Sequence, residues 1–387
     1  MKKLLQFLSN GAIIYAEKNI SRVYIRGNIN MKSVKIWGIS AAAAVLLCGC
    51  TNTELRNPTS SCSSQTGSSQ TGSAGTSSSS GSGSESVDYS SSSVEAQYTI
   101  SKKNSVPASG TFEITKEDTL TIEKGGELAV DGTFSCETGG KIAIKNGGAL
   151  ILNTDTVIDG DITIEKGGKL IIGANAALTG NGSITVEDSF DDIECSGSVK
   201  VKIIPPAPIT ENGVTRVGGV LIVNKKYSIP SDFGSELILD DDAGTGLIID
   251  DAYDALLEMR EASGYEMPIV SGFRSYRTQT AIFNNYVANY GEAEANTFSA
   301  RPGESEHQTG MAIDISSLSQ SYGDTEEGMW LGENCHNFGF IIRFQKDKEA
   351  ITGYIYEPWH VRYLGKSTAR LVHDSGLALE EFLGVEG

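Results

Sequence analysis

Ile122-Glu123-Lys124-Gly125-Gly126-Glu127-Leu128-Ala129-Val130 sets the architecture of the middle of the chain, because it comes back twice. It recurs as Ile144-Lys145-Asn146-Gly147-Gly148-Ala149-Leu150-Ile151-Leu152 and as Ile164-Glu165-Lys166-Gly167-Gly168-Lys169-Leu170-Ile171-Ile172. The Gly-Gly pairs lie 22 and then 20 residues apart. Each unit is a short alternating strand, a Gly-Gly corner and a second alternating strand, and cannot bury its apolar face alone. Stacking the units buries that face, which predicts β-helix rungs through residues 110–204. A small β-sandwich with Gly-rich turns is the alternative. The region carries no histidine, few clustered carboxylates and no aromatic stripe, so it reads as a stalk rather than a carbohydrate-binding surface. Cys136 and Cys195 both fall in it, and the spacing leaves open whether they pair.

Towards the N-terminus, residues 51–95 are mostly Ser, Gly and Thr and form a disordered linker, because such a composition cannot bury a core. Forty-odd residues of it would span roughly 35–40 Å root-mean-square. Residues 1–50 read as an upstream extension followed by an export signal. Lys32 and Lys35 precede an apolar run from Ile36 to Leu47, which is too short to span a bilayer. Leu47-Cys48-Gly49-Cys50 resembles a bacterial lipoprotein box, with Cys50 as the acylated mature terminus and Met31 as the start of the signal. The expected location is the extracellular face of the bacterial cytoplasmic membrane, lipid-anchored.

The 387 residues include 31 basic and 49 acidic ones, a net charge of −18. That balance argues against nucleic acid and against anionic membrane surfaces as partners. Six scattered cysteines make no disulfide framework, and no CxxC or Cys/His cluster suggests a structural zinc. A monomer is expected.

Pro205-Pro206-Ala207-Pro208 closes the repeat region, taken as residues 96–208. Residues 217–387 then mix strand and helix patterns and are expected to form an α+β domain with a mixed or antiparallel sheet. Leu247 to Ser263 has helical spacing, with Ala252, Leu256 and Met259 on one face and Gly264 as the stop. Ser275 caps a second helix that presents Ile282, Tyr286 and Tyr290. Asp324 and Glu327 form a capping pair for a third. His336 and His373 read as ordinary helix histidines.

The chemistry concentrates in two pieces. Ser305-Glu306-His307-Gln308-Thr309-Gly310-Met311-Ala312-Ile313-Asp314 reads as a polar loop, a glycine turn and a strand with Asp314 pointing off its apolar face. In Glu357-Pro358-Trp359-His360, Pro358 is expected to break the strand so that Glu357 and His360 reach one point. His307, Asp314 and His360 make a complete protein ligand set for a catalytic Zn2+, with the fourth position open to water. Glu357 remains as a carboxylate placed to act as general base.

Ser271-Gly272-Phe273-Arg274-Ser275-Tyr276-Arg277-Thr278-Gln279, Ser305-x-His307 with Asp314, and Glu357-Pro358-Trp359-His360 together resemble the VanY-type D-alanyl-D-alanine carboxypeptidases, a zinc peptidase family that also includes cell-wall L,D-carboxypeptidases. The likeness runs from about Val217 to Leu383 and includes Asn224-Lys225 and Gly339-Phe340 with Arg343. It implies His307, Asp314 and His360 as zinc ligands and Glu357 as general base and acid. Arg274 becomes the cation facing the substrate, with Gln279 and Ser305 lining the peptide site. The implied activity is release of D-alanine from peptidoglycan stem peptides. The alternatives are a related D,D-dipeptidase or wall endopeptidase, and a non-catalytic wall-binding or adhesive lipoprotein.

Overall fold

The computed structural model describes residues 13–16, 23–26, 95–237, 239–241 and 246–387. Cys50, the apolar run before it and nearly all of the Ser/Gly-rich linker lie outside the described residues. Ile13–Ala16 and Val23–Arg26 pair as an antiparallel hairpin.

From Gln97 to Ile204 the chain winds into a three-sided β-solenoid of five full turns, each side a parallel sheet. The rungs align in register. Leu128, Leu150 and Leu170 stack on one another, and so do Val130, Leu152 and Ile172. All six are buried. Each glycine of the repeated pair has its own reason. Gly125, Gly147 and Gly167 turn the corner at φ +81°, +76° and +77°. A Cβ on Gly126, Gly148 or Gly168 would lie 2.1, 2.4 or 2.5 Å from a carbonyl oxygen of the turn before. Cys136 and Cys195 are unpaired, on different faces of the solenoid, and burial pushes each thiol up to about 11.

The C-terminal domain is α+β, as expected. Strands β1 (Ile269–Ser271), β2 (Ala312–Ile315), β3 (Phe340–Phe344) and β4 (Glu357–Tyr363) form an antiparallel sheet in the order β1-β2-β4-β3. Around it lie α1 (Asp250–Ser263), α2 (Tyr276–Tyr290), α3 (Glu292–Phe298), α4 (Glu326–Asn334), α5 (Lys366–Ser375) and α6 (Leu379–Leu383). α1 buries Ala252, Leu256 and Met259 and stops at Gly264, which is at φ +73°.

Three local expectations change. α2 buries Gln279 and Phe283, because Tyr286 and Tyr290 turn aside to pack on Phe298 of α3. Thr325, not Asp324, caps α4, since Asp324 is taken up by the preceding 3-10 turn. Pro358 bends the sheet without ending it. β4 runs through it, and the pairing slips between Ile342–Val361 and Phe344–Glu357, so the extra residues bulge.

The solenoid and this domain share one core. Phe190, Ile193, Cys195 and Val199 from the last turn pack with Ala369 and Val372 of α5 and with Phe382 of α6. The Phe190 and Phe382 rings lie 5.2 Å apart. The final strands of two solenoid sheets would leave edge N–H groups open. Ser367 Oγ accepts from Cys195 N–H at 3.1 Å, and Asp374 Oδ2 accepts from Val199 N–H at 2.9 Å. α5 and α6 thus close the C-terminal end of the solenoid.

Truncating Phe382 to Ala should destabilise the protein by about 3–5 kcal/mol, the usual cost of removing a buried aromatic ring. Calorimetry should still show a single transition, shifted down. Separate melting of the solenoid and the domain in the wild type would contradict a shared core.

Candidate active site

The sheet register builds the site. Asp314 on β2 and His360 on β4 are Cα partners, so their side chains leave the same face of the sheet. Trp359 and Val361 alternate into the core behind. His307 arrives from a 3-10 turn, Glu306–Thr309, that Gly310 ends at φ +69°. A Cβ on Gly310 would lie 2.9 Å from Leu239. This turn hands the chain straight into β2.

His307 Nδ1 lies 2.8 Å from the Gly272 carbonyl oxygen. A carbonyl can only accept, so Nδ1 carries the proton and Nε2 keeps its lone pair. Nε2 is 3.3 Å from Asp314 Oδ2. On the other imidazole, Nδ1 faces the cleft, 3.2 Å from Asp314 Oδ1 and 3.7 Å from Glu357 Oε2. His360 Nε2 faces away, 3.6 Å from Glu306 Oε2. One donor atom from each of His307, Asp314 and His360 lies within 4.8 Å of the others. His307 Nε2 and Asp314 Oδ1 are buried with no hydrogen-bond partner. Orphaned lone pairs of this kind are costly unless something fills the space between them. Two imidazoles and a carboxylate are the donor set that suits zinc.

Electrostatics sort these groups. Burial holds His307 neutral, with its pKa lowered to about 4. Burial opposes the charge on His360 too, but Asp314 and Glu306 outweigh it and raise the pKa to about 9. Asp314 stays ionised despite burial, because both imidazoles hold its pKa well below the usual carboxylate range. Glu357 goes the other way. Burial, reinforced by Asp314 and opposed by His360 and Arg274, raises it to about 7.

An open cleft of about 340 Å³ exposes this group. Arg274 lines it from just ahead of α2, with NH1 donating to Gln279 Oε1 at 3.1 Å and NH2 3.9 Å from Asp314 Oδ2. Its Nε is buried without a partner. Gln279 is 1% exposed and engaged at both ends, since its Nε2 donates to the Ala300 carbonyl at 2.6 Å. Ser305 lines the cleft beside the His307 turn and does not cap that turn. His336 and His373 lie outside the cleft, their rings stacked 3.5 Å apart.

Two contributors were not singled out from sequence. Glu306 is buried and accepts from Arg343 Nε at 2.8 Å and Arg362 NH1 at 2.7 Å. Burial disfavours its charge, but the two guanidiniums hold it ionised beneath His360. Arg343 continues to both carboxylate oxygens of Glu380 on α6. The sequence signal was Glu306 next to His307, with Arg343 and Arg362 unassigned. The second is Tyr354, buried in the cleft wall with its hydroxyl unpartnered. It stands only three residues before Glu357, but nothing in Tyr354-Ile355-Tyr356 marks which tyrosine turns into the cleft.

Residues 247–366 match the family described as VanY, D-alanyl-D-alanine carboxypeptidase. The putative carboxypeptidase YodJ of Bacillus subtilis is 44% identical over 178 residues, which span 42% of this chain and 65% of the relative. A D-alanyl-D-alanine carboxypeptidase of Enterococcus faecalis is 35% identical over 190 residues, 46% of this chain and 71% of the relative. Among solved structures, the LdcB LD-carboxypeptidase is 38% identical, with a TM-score of 0.40, over 46% of this chain and 95% of that one. On the identity and coverage of the enterococcal relative, the chain belongs to the VanY-type D-alanyl-D-alanine carboxypeptidase family.

Proposed function

We propose that this chain is a zinc-dependent carboxypeptidase that removes the C-terminal D-alanine from peptidoglycan stem peptides, D,D- or L,D-linked, at the cell surface. The observation that carries this reading is the His307, Asp314 and His360 triad, whose donor atoms converge in the cleft beside a carboxylate and an arginine. Those three residues would hold the zinc. When bound there, zinc would lower the pKa of a water towards ~7 and polarise the scissile carbonyl.

The protein's own groups do the rest. Glu357 accepts the water's proton and passes it to the leaving amine. A carboxyl raised to about 7 can both take and release a proton near neutrality. Arg274, fixed by Gln279, presents a planar cation to the substrate's carboxylate or to the developing oxyanion. The Tyr354 hydroxyl and Ser305 complete the polar wall. Glu306 orients His360 from behind, as second carboxylates commonly do for metal-binding imidazoles. Cys50, in its lipoprotein-like box, would tether the chain to the membrane.

Two substitutions test the core of this reading. Metal analysis should find one equivalent of zinc in the wild type and none in His307→Ala. Glu357→Gln should keep the zinc and lose turnover of stem peptides followed by mass spectrometry. Retained turnover would remove Glu357 from the mechanism, and undiminished zinc in His307→Ala would remove the ligand assignment.

Arg274→Lys keeps the charge and loses the fork. If Arg274 grips the ground-state carboxylate, KM should rise with kcat little changed. If it stabilises the oxyanion, kcat should fall ~100-fold or more. Amidating the terminal D-alanine should block cleavage, and efficient cleavage of the amidated peptide would favour an endopeptidase.

For the anchor, labelled palmitate in the native host should tag the wild type and not Cys50→Ser. Label that persists in the variant would place the anchor elsewhere.

A further inference from the structure

Glu327 has no capping to do, because Thr325 caps α4, yet its carboxylate is engaged inside the fold. Its Oε1 accepts from the Ser316 hydroxyl and from the Tyr322 hydroxyl, the latter at 3.0 Å. Ser316 is the first residue after β2, two past Asp314, and holds a left-handed φ of +59° that a non-glycine residue adopts only at a cost. Its N–H donates to the Pro268 carbonyl at 2.9 Å. Tyr322 belongs to the 3-10 turn Gln320–Asp324 and is buried. One carboxylate oxygen thus ties the exit of β2 to that turn.

The turn in its place leans on the segment that carries Glu357. The β2–β4 ladder pairs Ala312 with Arg362, Ile313 with Val361 and Asp314 with His360, and Glu357 lies beyond its end. On the other side, the bulge leaves the residues just after Glu357 out of the β3 pairing. Among the described residues, Pro358 and Trp359 therefore pair with neither β2 nor β3. A bulge is a local break in the ladder, so regular pairing does not by itself fix the chain here. The turn supplies what the ladder lacks. Gln320 Nε2 donates to the Tyr356 carbonyl at 3.0 Å. Gly323 comes so close that a Cβ on it would lie 2.5 Å from the Tyr356 hydroxyl and 3.1 Å from Pro358 Cβ. Such a Cβ would have to push the Tyr356 ring aside and press on Pro358.

We infer that Glu327 and Gly323 are positioning residues for Glu357: Glu327 fixes the turn, Gly323 lets it seat against Tyr356 and Pro358, and the seated turn sets where the Glu357 carboxylate stands in the cleft. The inference rests on the reading of Glu357 as the base and adds what holds that base. Neither Glu327 nor Gly323 lines the cleft, so both act through Glu357 and not on the peptide.

The test uses the full zinc-loaded chain and a synthetic stem peptide ending in D-alanine. Gly323→Ala and Glu327→Ala should each lower kcat by about 10- to 100-fold, the scale of moving a reacting group by about an ångström. KM should change little and the zinc should stay. Glutamine still offers an oxygen to both hydroxyls, so Glu327→Gln should recover most of the kcat that Glu327→Ala loses. A crystal structure of Gly323→Ala should show the Glu357 carboxylate displaced relative to wild type, with His307, Asp314 and His360 in place.

Wild-type kcat in Gly323→Ala, or an unmoved Glu357 in its crystal structure, would overturn the inference. So would a raised KM at unchanged kcat, which would make the turn part of the peptide site. Zinc lost in step with activity in Glu327→Ala would make Glu327 a support for Asp314 instead, and Glu327→Gln as impaired as Glu327→Ala would remove the hydroxyl contacts from the argument. Melting curves separate these results from loss of fold. If an alanine variant does not fold, Gln320→Ala decides, since it removes only an exposed hydrogen bond to the Tyr356 carbonyl. It should lower kcat about threefold or more, and an unchanged kcat would overturn the inference. A wild type that releases no D-alanine would fail the carboxypeptidase reading, while the position of Glu357 in the Gly323→Ala crystal structure would still decide whether the turn places it.

Discussion

Asp314 and His360 are Cα partners on adjacent antiparallel strands, so the sheet itself holds a carboxylate and an imidazole at contact distance. A pair fixed by ladder hydrogen bonds loses little side-chain freedom when it takes a ligand, unlike a pair carried on two loops. His307 joins them because its turn runs directly into β2, and its ring is pinned by the Gly272 carbonyl on the neighbouring strand connection. The bulge at Pro358 matters for the same reason. It lets Glu357 and His360, three residues apart, both approach the cleft, which a flat strand would prevent.

Behind this face lies a buried ionic network. Glu306 binds Arg343 and Arg362, Arg343 binds Glu380, and Arg362 also donates to the Leu221 carbonyl at 2.8 Å. Charges taken this far from water are tolerated only when nearly every donor and acceptor is met. The network joins the His307 turn, β3, β4, α6 and the strand Val220–Ile222, which belongs to a separate three-stranded sheet. It is a rigid backing for the His360 imidazole, whose other nitrogen faces the cleft. α6 has a second duty, because its Phe382 packs on Phe190 of the solenoid. The same helix thus braces the sheet that carries Asp314 and His360 and closes the repeat array, whose last turn would otherwise expose an apolar end and open strand edges.

Much of this was legible in the residues. The Gly-Gly spacing pointed to stacked rungs, since each repeat is a strand, a corner and a strand that cannot bury its apolar face alone. His307, Asp314, His360 and Glu357 stood out because the chain has only four histidines and two of them sit beside carboxylates. Helix ends marked by Gly264 and Ser275 were also plain, because caps are local chemistry. The cap of α4 was misplaced by one residue, and the buried face of α2 was misread. Tyr286 and Tyr290 follow helical spacing, yet they pack sideways on α3, a choice made by a neighbour that periodicity does not see.

The sequence by itself determined the units: the repeating rungs, an α+β domain, and the histidines and carboxylates that gather in two short motifs. Those features follow from spacing and local conformational preference within a few residues. Only the tertiary structure decided that Glu306 would stand behind His360, that Tyr354 would line the same cleft as His307 and His360, and that α5 and α6 would seal the solenoid. Each of these joins residues far apart in the chain. Their closeness depends on how sheets and helices pack to bury apolar surface, and no local pattern encodes it.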